Sequence, residues 1–201
     1  RIILYAISLD LFSVLFGAST LLVIQSAEAS GRSAAGTHYA RMFWLGLFGL
    51  AHYYLFWFGD ILSLYAACGL LLFLFRGLSI RALLIWAAVF LFVSLLFLGS
   101  TWLSIAMLDT GSLPPETAAA MGQQMAEFNA MMGPNSPTYA ADVAHFLGSY
   151  REIAGTRMGP DAAEPLVQIM LFLWESMALM LIGMALFKSR MLTGEWSPER
   201  Y

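Results

Sequence analysis

Four ionisable side chains lie inside or at the edge of long apolar runs: Asp10, His52, Asp60 and Glu175. A charge at the centre of a bilayer costs roughly 2.5–3.5 kcal/mol even on the mildest scales, so such residues are retained for pairing or for chemistry. Imidazole is the side chain best suited to proton transfer near neutral pH. His52 is therefore a candidate general base or transient acyl carrier. Asp60, eight residues on, would orient it if the two side chains meet, and Glu175 and Asp10 would complete a polar pocket. The same four groups suit a different chemistry equally well, with Glu175 and Asp10 as proton or cation sites on a transport path.

Each residue also has a purely structural reading. Asp60 can cap the helix that follows it by accepting from free backbone donors. His52 can hydrogen-bond a neighbouring helix, and Asp10 can bond Ser8 or Ser13. Glu175 has no basic residue in its own run, so it is expected to be protonated or paired with another helix. The three histidines, His38, His52 and His145, are not at metal-ligand spacing, so no metal is expected. Neither a phosphate-binding loop nor a Gly-x-Ser-x-Gly elbow is present. The single cysteine, Cys68, rules out an internal disulfide and is expected to be buried in a helix.

These residues need a membrane to position them. Hydrophobic residues make up 60% of the 201 and charged ones 11%, against about 45–50% and about 25% in an ordinary soluble domain. The polar side chains are too few to cover a water-soluble particle, so the excess is expected to face lipid. A net charge of −3 gives no reason to expect nucleic acid as a partner. The expected fold class is all-α, a polytopic transmembrane helical bundle forming one membrane domain over residues 1–201.

Five apolar runs mark the spans: about 2–24, 42–58, 61–75, 82–107 and 165–187. Read as a single helix, Met42 to Phe75 would be roughly 50 Å long at 1.5 Å per residue. The hydrocarbon core is only about 30 Å thick. A hairpin turning near Gly59 fits better, with Tyr53, Tyr54, Phe56, Trp57 and Phe58 as an interfacial aromatic cluster. Gly46, Gly49, Ala66, Ala67 and Gly69 are small enough to let neighbouring helices approach closely.

Basic residues in short loops set the orientation. Arg32 and Arg41, Arg76 and Arg81, and Lys188 and Arg190 fall on one side of five alternating spans, which the positive-inside rule makes cytoplasmic. The other side receives Gly59-Asp60 and the segment of about 108–164. That segment holds seven acidic residues and, as basic ones, only Arg151 and Arg157. The expected location is the bacterial plasma (inner) membrane, multi-pass, with the N-terminus outside and the C-terminus inside. An odd span count starting outside, and a chain opening on Arg1, lead to the expectation of a processed chain or a fragment with an earlier span before it. Within the outer segment two amphipathic helices are expected, lying on the membrane face or, alternatively, packed as a lid over the spans. One starts at Pro114-Pro115-Glu116, carries Met121, Met125, Phe128 and Met132, and stops at Gly133-Pro134. The other carries Tyr139, Val143, Phe146, Leu147, Tyr150 and Ile153, and is closed by Gly155 and Gly159-Pro160.

Three ordered segments resemble one family. Leu11-Phe12-Ser13-Val14-Leu15-Phe16-Gly17-Ala18 is similar to a Phe-Ser-x-Leu-Phe-Gly-Ala stretch of the bacterial membrane proteins called DUF418, or YeiB-like. Gly49-Leu50-Ala51-His52, followed by Trp57-Phe58-Gly59-Asp60-Ile61-Leu62 and Tyr65-Ala66, resembles its His…Gly-Asp-Ile-Leu-x-x-Tyr-Ala signature. Leu179 to Leu186, with Gly194, resembles its Met-Leu-x-Gly-Met-Ala-Leu block. That family is itself similar to transmembrane acyltransferases of the heparan-glucosaminide N-acetyltransferase type, and its members are also described as transport-related. The resemblance implies an acyl-CoA-type thioester donor, a small-molecule or glycan acceptor and the lipid bilayer as partners. It also implies that an N-terminal span with an Asp-x-x-Arg-Gly-type stretch, and further C-terminal spans, are missing here. The expected function is a membrane-embedded acyltransferase-like protein. The alternatives are a proton- or ion-coupled transporter and a non-catalytic membrane scaffold.

Overall fold

The computed structural model describes residues 2–109, 111–112, 114–132, 137–159 and 161–194; within these, the side chains of 2–8, 101, 108–109, 128–132, 137–140, 142 and 193 are not described. Among the described residues eight α-helices follow one another: α1 Ile2–Ala29, α2 Ala34–Leu55, α3 Leu62–Phe75, α4 Ile80–Asp109, α5 Pro115–Met132, α6 Pro137–Phe146, α7 Tyr150–Met158 and α8 Glu164–Lys188. Three of them contain stretches long and apolar enough to cross a membrane, Leu9–Ala29, Ile80–Met107 and Glu164–Lys188. At 14 residues α3 is apolar but shorter. Large apolar side chains stand exposed along these helices, among them Leu74, Ile85, Phe92, Trp102 and Met170. That surface is compatible with a membrane protein.

Helix boundaries follow local chemistry more than hydropathy. Gly31 takes a left-handed backbone (φ +69°), and the Arg32 N–H then donates back to the Ala27 carbonyl, which stops α1. Ser33 opens α2 at once, its hydroxyl accepting from the Gly36 N–H. The helix therefore starts at Ala34, two turns before the apolar run at Met42, and it ends at Leu55. The hairpin turn expected near Gly59 is present between Leu55 and Leu62.

Residues 1–94 and 163–201 form one compact unit, and 95–162 a second. In the first unit α1 packs on α8 and α2, and α3 on α2 and α8. Its core joins Leu21, Cys68, Leu72, Leu83, Met177, Met180, Leu181 and Met184, so Cys68 is buried as expected. Backbones approach closely at glycines. A Cβ on Gly17 would strike the Met180 carbonyl, and one on Gly183 the Val14 carbonyl. These reciprocal contacts bring α1 and α8 together main chain to main chain. In the antiparallel pair α2–α3, Gly49 comes close to the Ser63 backbone nitrogen, Gly69 makes room for the Met42 side chain, and Gly46 rests on the Ala66 methyl. From α4, Trp86 meets Phe75 and Phe90 meets Trp174, with ring centroids 5.7 and 5.9 Å apart. Lys188 closes one end by donating to the carbonyls of Arg76 (2.7 Å) and Leu78 (2.6 Å), just past α3.

The second unit holds α5, α6 and α7. The stripe from Tyr139 to Ile153, expected on one helix, is split in two. A capping box at Ser149 and Glu152 starts α7 and interrupts the stripe at Leu147–Ser149. The stop expected at Gly133-Pro134, the side chains of Phe128, Met132 and Tyr139, and Pro160 lie outside the described residues. Val143, Phe146, Leu147 and Tyr150 are exposed.

Candidate functional site

The site is built around the α2–α3 turn. After α2 ends, the chain turns through Phe56–Ile61, and Asp60 arrives with both carboxylate oxygens engaged. Oδ2 accepts the Ser63 N–H at 2.8 Å, satisfying a free donor in the first turn of α3. Oδ1 accepts from His52 Nδ1 at 3.0 Å. One carboxylate oxygen thus serves the start of α3 while the other holds the imidazole. Gly49 makes this possible. A Cβ there would lie 2.5 Å from the Ser63 nitrogen and 3.0 Å from Asp60 Oδ2.

The pair is asymmetric in burial, with the Asp60 side chain 2% exposed and that of His52 37%. The carboxylate can only accept, so Nδ1 carries the proton and the neutral imidazole has its lone pair on Nε2. The rings of Phe56 and Trp57 stand 6.4 and 6.3 Å from the imidazole.

Asp10, Asp60 and Glu175 line one cavity of about 450 Å³ inside the first unit. Ser13, Tyr65 and Gln168 add polar atoms to its wall, and Phe172 and Leu179 contribute apolar ones. No basic side chain is among the lining residues. His52 does not line the cavity; it is joined to it through Asp60. Three of the four expected residues thus converge, and the fourth stands one hydrogen bond away.

Ser13 and Tyr65 form the other polar contact of the wall. Their hydroxyls lie 2.6 Å apart, and both reach the Leu9 carbonyl, at 3.1 Å from Ser13 and 3.3 Å from Tyr65. Of the two hydroxyls considered as partners for Asp10, that of Ser13 is thus taken up by Tyr65 and the α1 backbone, and the Ser8 side chain lies outside the described residues. Phe12 and Phe16 bracket the Tyr65 ring at 5.4 and 5.1 Å. Reading the sequence for ionisable groups missed Tyr65, Gln168 and Ser176. The spacing of Gln168, Phe172, Glu175 and Leu179, one face of a helix, carries the signal that could have found Gln168; no such pattern marks Tyr65.

His38 is the contrasting histidine. It is fully buried, donates from Nε2 to the Gly69 carbonyl at 2.8 Å and stacks on Phe73 at 5.3 Å. Its place is in the α2–α3 packing and not in the cavity.

Over 77 residues the chain is 43% identical to a protein of Bacillus subtilis (strain 168) described as "Uncharacterized protein YxaH". The match takes in 38% of this chain and 19% of that protein, so the chain spans about a fifth of the relative's length. No family model matches the chain, and no solved structure does.

Proposed function

We propose that this chain is part of a multi-pass protein of the bacterial plasma membrane that transfers an acyl group, with His52 as general base and Asp60 as the residue that orients it. The observation behind this reading is the 3.0 Å contact from His52 Nδ1 to Asp60 Oδ1. A carboxylate on Nδ1 fixes the tautomer and stabilises the imidazolium once Nε2 takes up a proton. Nε2 would take that proton from the acceptor's hydroxyl or amine as the acceptor attacks the thioester carbonyl. The carbon–sulfur bond then breaks, and the imidazolium returns the proton to the departing thiolate. Asp10 and Glu175 hold the acceptor's polar groups in the cavity shared with Asp60. The resemblance to the DUF418, or YeiB-like, family supports the same reading through its His…Gly-Asp-Ile-Leu signature. In this reading the chain contributes five spans, with Arg32, Arg76 and Lys188 on the cytoplasmic side.

His52→Ala, reconstituted in vesicles with an acyl-CoA donor, is expected to lose transfer by about 10²–10⁴-fold, the usual contribution of a positioned base, while inserting normally. Undiminished transfer by that variant removes the role.

A second reading, proton- or cation-coupled transport, draws on a different observation: three carboxylates and no basic side chain line one cavity. It predicts solute flux that follows the proton gradient and stops in Glu175→Gln. Acyl transfer without any flux rejects it.

A further inference from the structure

The α1–α2 side of the first unit carries a second, open cavity of about 490 Å³, separate from the carboxylate-lined one. Its wall on α2 is a single helical stripe, Thr37, Arg41, Trp44, Leu45 and Phe48, and Phe16 of α1 faces it. The stripe changes character along its length, from a hydroxyl and a guanidinium near the α1–α2 loop to aromatic and aliphatic side chains further in. From Thr37 to Phe48 it runs about 16 Å at 1.5 Å per residue, close to the roughly 15 Å hydrocarbon depth of one leaflet.

Arg41 is exposed, and among the described residues no carboxylate lies within ion-pairing distance of it. Two other basic groups of the unit are occupied. Arg76 donates to the Phe73 carbonyl and lies over the Phe73 ring, and Lys188 donates to two carbonyls. Trp44 and Phe48, 54% and 62% exposed, pack on each other at 6.0 Å and leave their outer faces open. In the five-span reading, on which this inference rests, Arg41 lies at interfacial depth, and a cation followed inward by an apolar trough one leaflet deep complements a molecule with an anionic head and a hydrocarbon tail.

We propose that the groove between α1 and α2 seats one anionic phospholipid, its phosphate on the Arg41 guanidinium and an acyl chain lying along Trp44, Leu45 and Phe48. The guanidinium fork can hold two phosphate oxygens at once, and the Thr37 hydroxyl, one turn nearer the loop, can donate to the same head group. A second copy of the chain fits this face less well. A two-fold contact on the stripe would bring Arg41 against apolar side chains or its own counterpart, with no acid in the stripe to receive it. The site is independent of the acyl-transfer and transport readings, since it shares no lining residue with the carboxylate cavity.

The test is lipid retention by the whole chain in nanodiscs of equal phosphatidylglycerol and phosphatidylcholine, read by native mass spectrometry after release. Wild type is expected to keep phosphatidylglycerol in preference. Arg41→Gln is expected to keep about fivefold less of it, the factor one basic residue contributes near an anionic surface, with phosphatidylcholine unchanged. Arg41→Lys keeps the charge and loses the fork, so it should fall between the two and shed the lipid as salt is raised. This variant carries the test if Arg41→Gln fails to insert. Equal retention of both lipids by wild type, unchanged phosphatidylglycerol on Arg41→Gln, or salt-independent retention by Arg41→Lys overturns the proposal. So does a photo-reactive side chain at Leu45 that captures a second copy in place of lipid.

Discussion

Two carboxylates start helices in this chain, one in each compact unit, and they do so on opposite terms. Asp60 is buried, and it divides its oxygens between the Ser63 N–H of α3 and the imidazole of His52. Glu152 stands in solvent, and one of its oxygens takes both the N–H and the hydroxyl of Ser149 at the start of α7. A surface capping box serves only its own helix, since water can replace either contact. A buried cap tied to a second helix holds a turn, a helix start and a titratable ring in one geometry. Chemistry at such a cap would share its stability with the fold, whereas the α7 cap can be changed at small cost.

Substitutions at three positions sharpen or break this contrast. The largest effect is expected for Gly49→Val, whose side chain would displace Ser63 and Asp60 together. It should cost about 3 kcal/mol, the upper end for overpacking a tight contact, read as earlier thermal unfolding in detergent. Unfolding as late as wild type would mean that the α2–α3 approach at Gly49 is not tight. Asp60→Ala comes next. It orphans the buried Ser63 amide, which costs about 2 kcal/mol. Asp60→Asn retains an oxygen for that amide and should recover much of the stability. If the alanine and asparagine variants unfold together, the cap does not hold the turn.

The smallest effect is expected at Glu152. Hydrogen bonds from the Ser149 N–H and hydroxyl hold its carboxyl below the usual carboxylate range. A lowered folded value means that the contribution is present above the unfolded pKa of about 4.3 and is lost as pH falls through the folded one. Protection of the amides at the start of α7, taken relative to the intrinsic exchange rate at each pH, should therefore fall only in acid, and Glu152→Gln should show that lower protection already at neutral pH with α3 undisturbed. A loss of protection in acid that persists in Glu152→Gln would place the titration elsewhere.

The turn and its cap could be read in the sequence because length and chain chemistry agree there. A single helix over Met42–Phe75 would overrun a bilayer, and Gly59-Asp60 interrupts it. Burial of Cys68 and close approach at Gly46, Gly49 and Gly69 follow from residue size. What escaped was anything that depends on which faces meet. Gly17 and Gly183 read as ordinary small residues until α1 and α8 are seen crossing through them. Tyr65 carries no charge and so drew no notice as a wall residue, although its hydroxyl meets Ser13 across the cavity. Hydropathy marks an apolar run from Met42 and is blind to Ser33, whose cap draws the polar residues Thr37, His38 and Arg41 into α2. The second stripe of the 108–164 segment keeps its apolar period through Leu147, and only the Ser149–Glu152 box, a polar signal, divides it.

The crossing of α1 and α8 at Gly17 and Gly183 has a consequence for how the protein is made. Its two partners are separated by all the sequence from Ser30 to Ala163, so their contact closes a long loop, and such contacts form late. While a ribosome is still translating the intervening segment, Asp10 has already been made and Glu175 does not yet exist. The carboxylate-lined chamber is therefore completed only once α8 has been made, and until then Asp10 lacks the wall that carries Glu175.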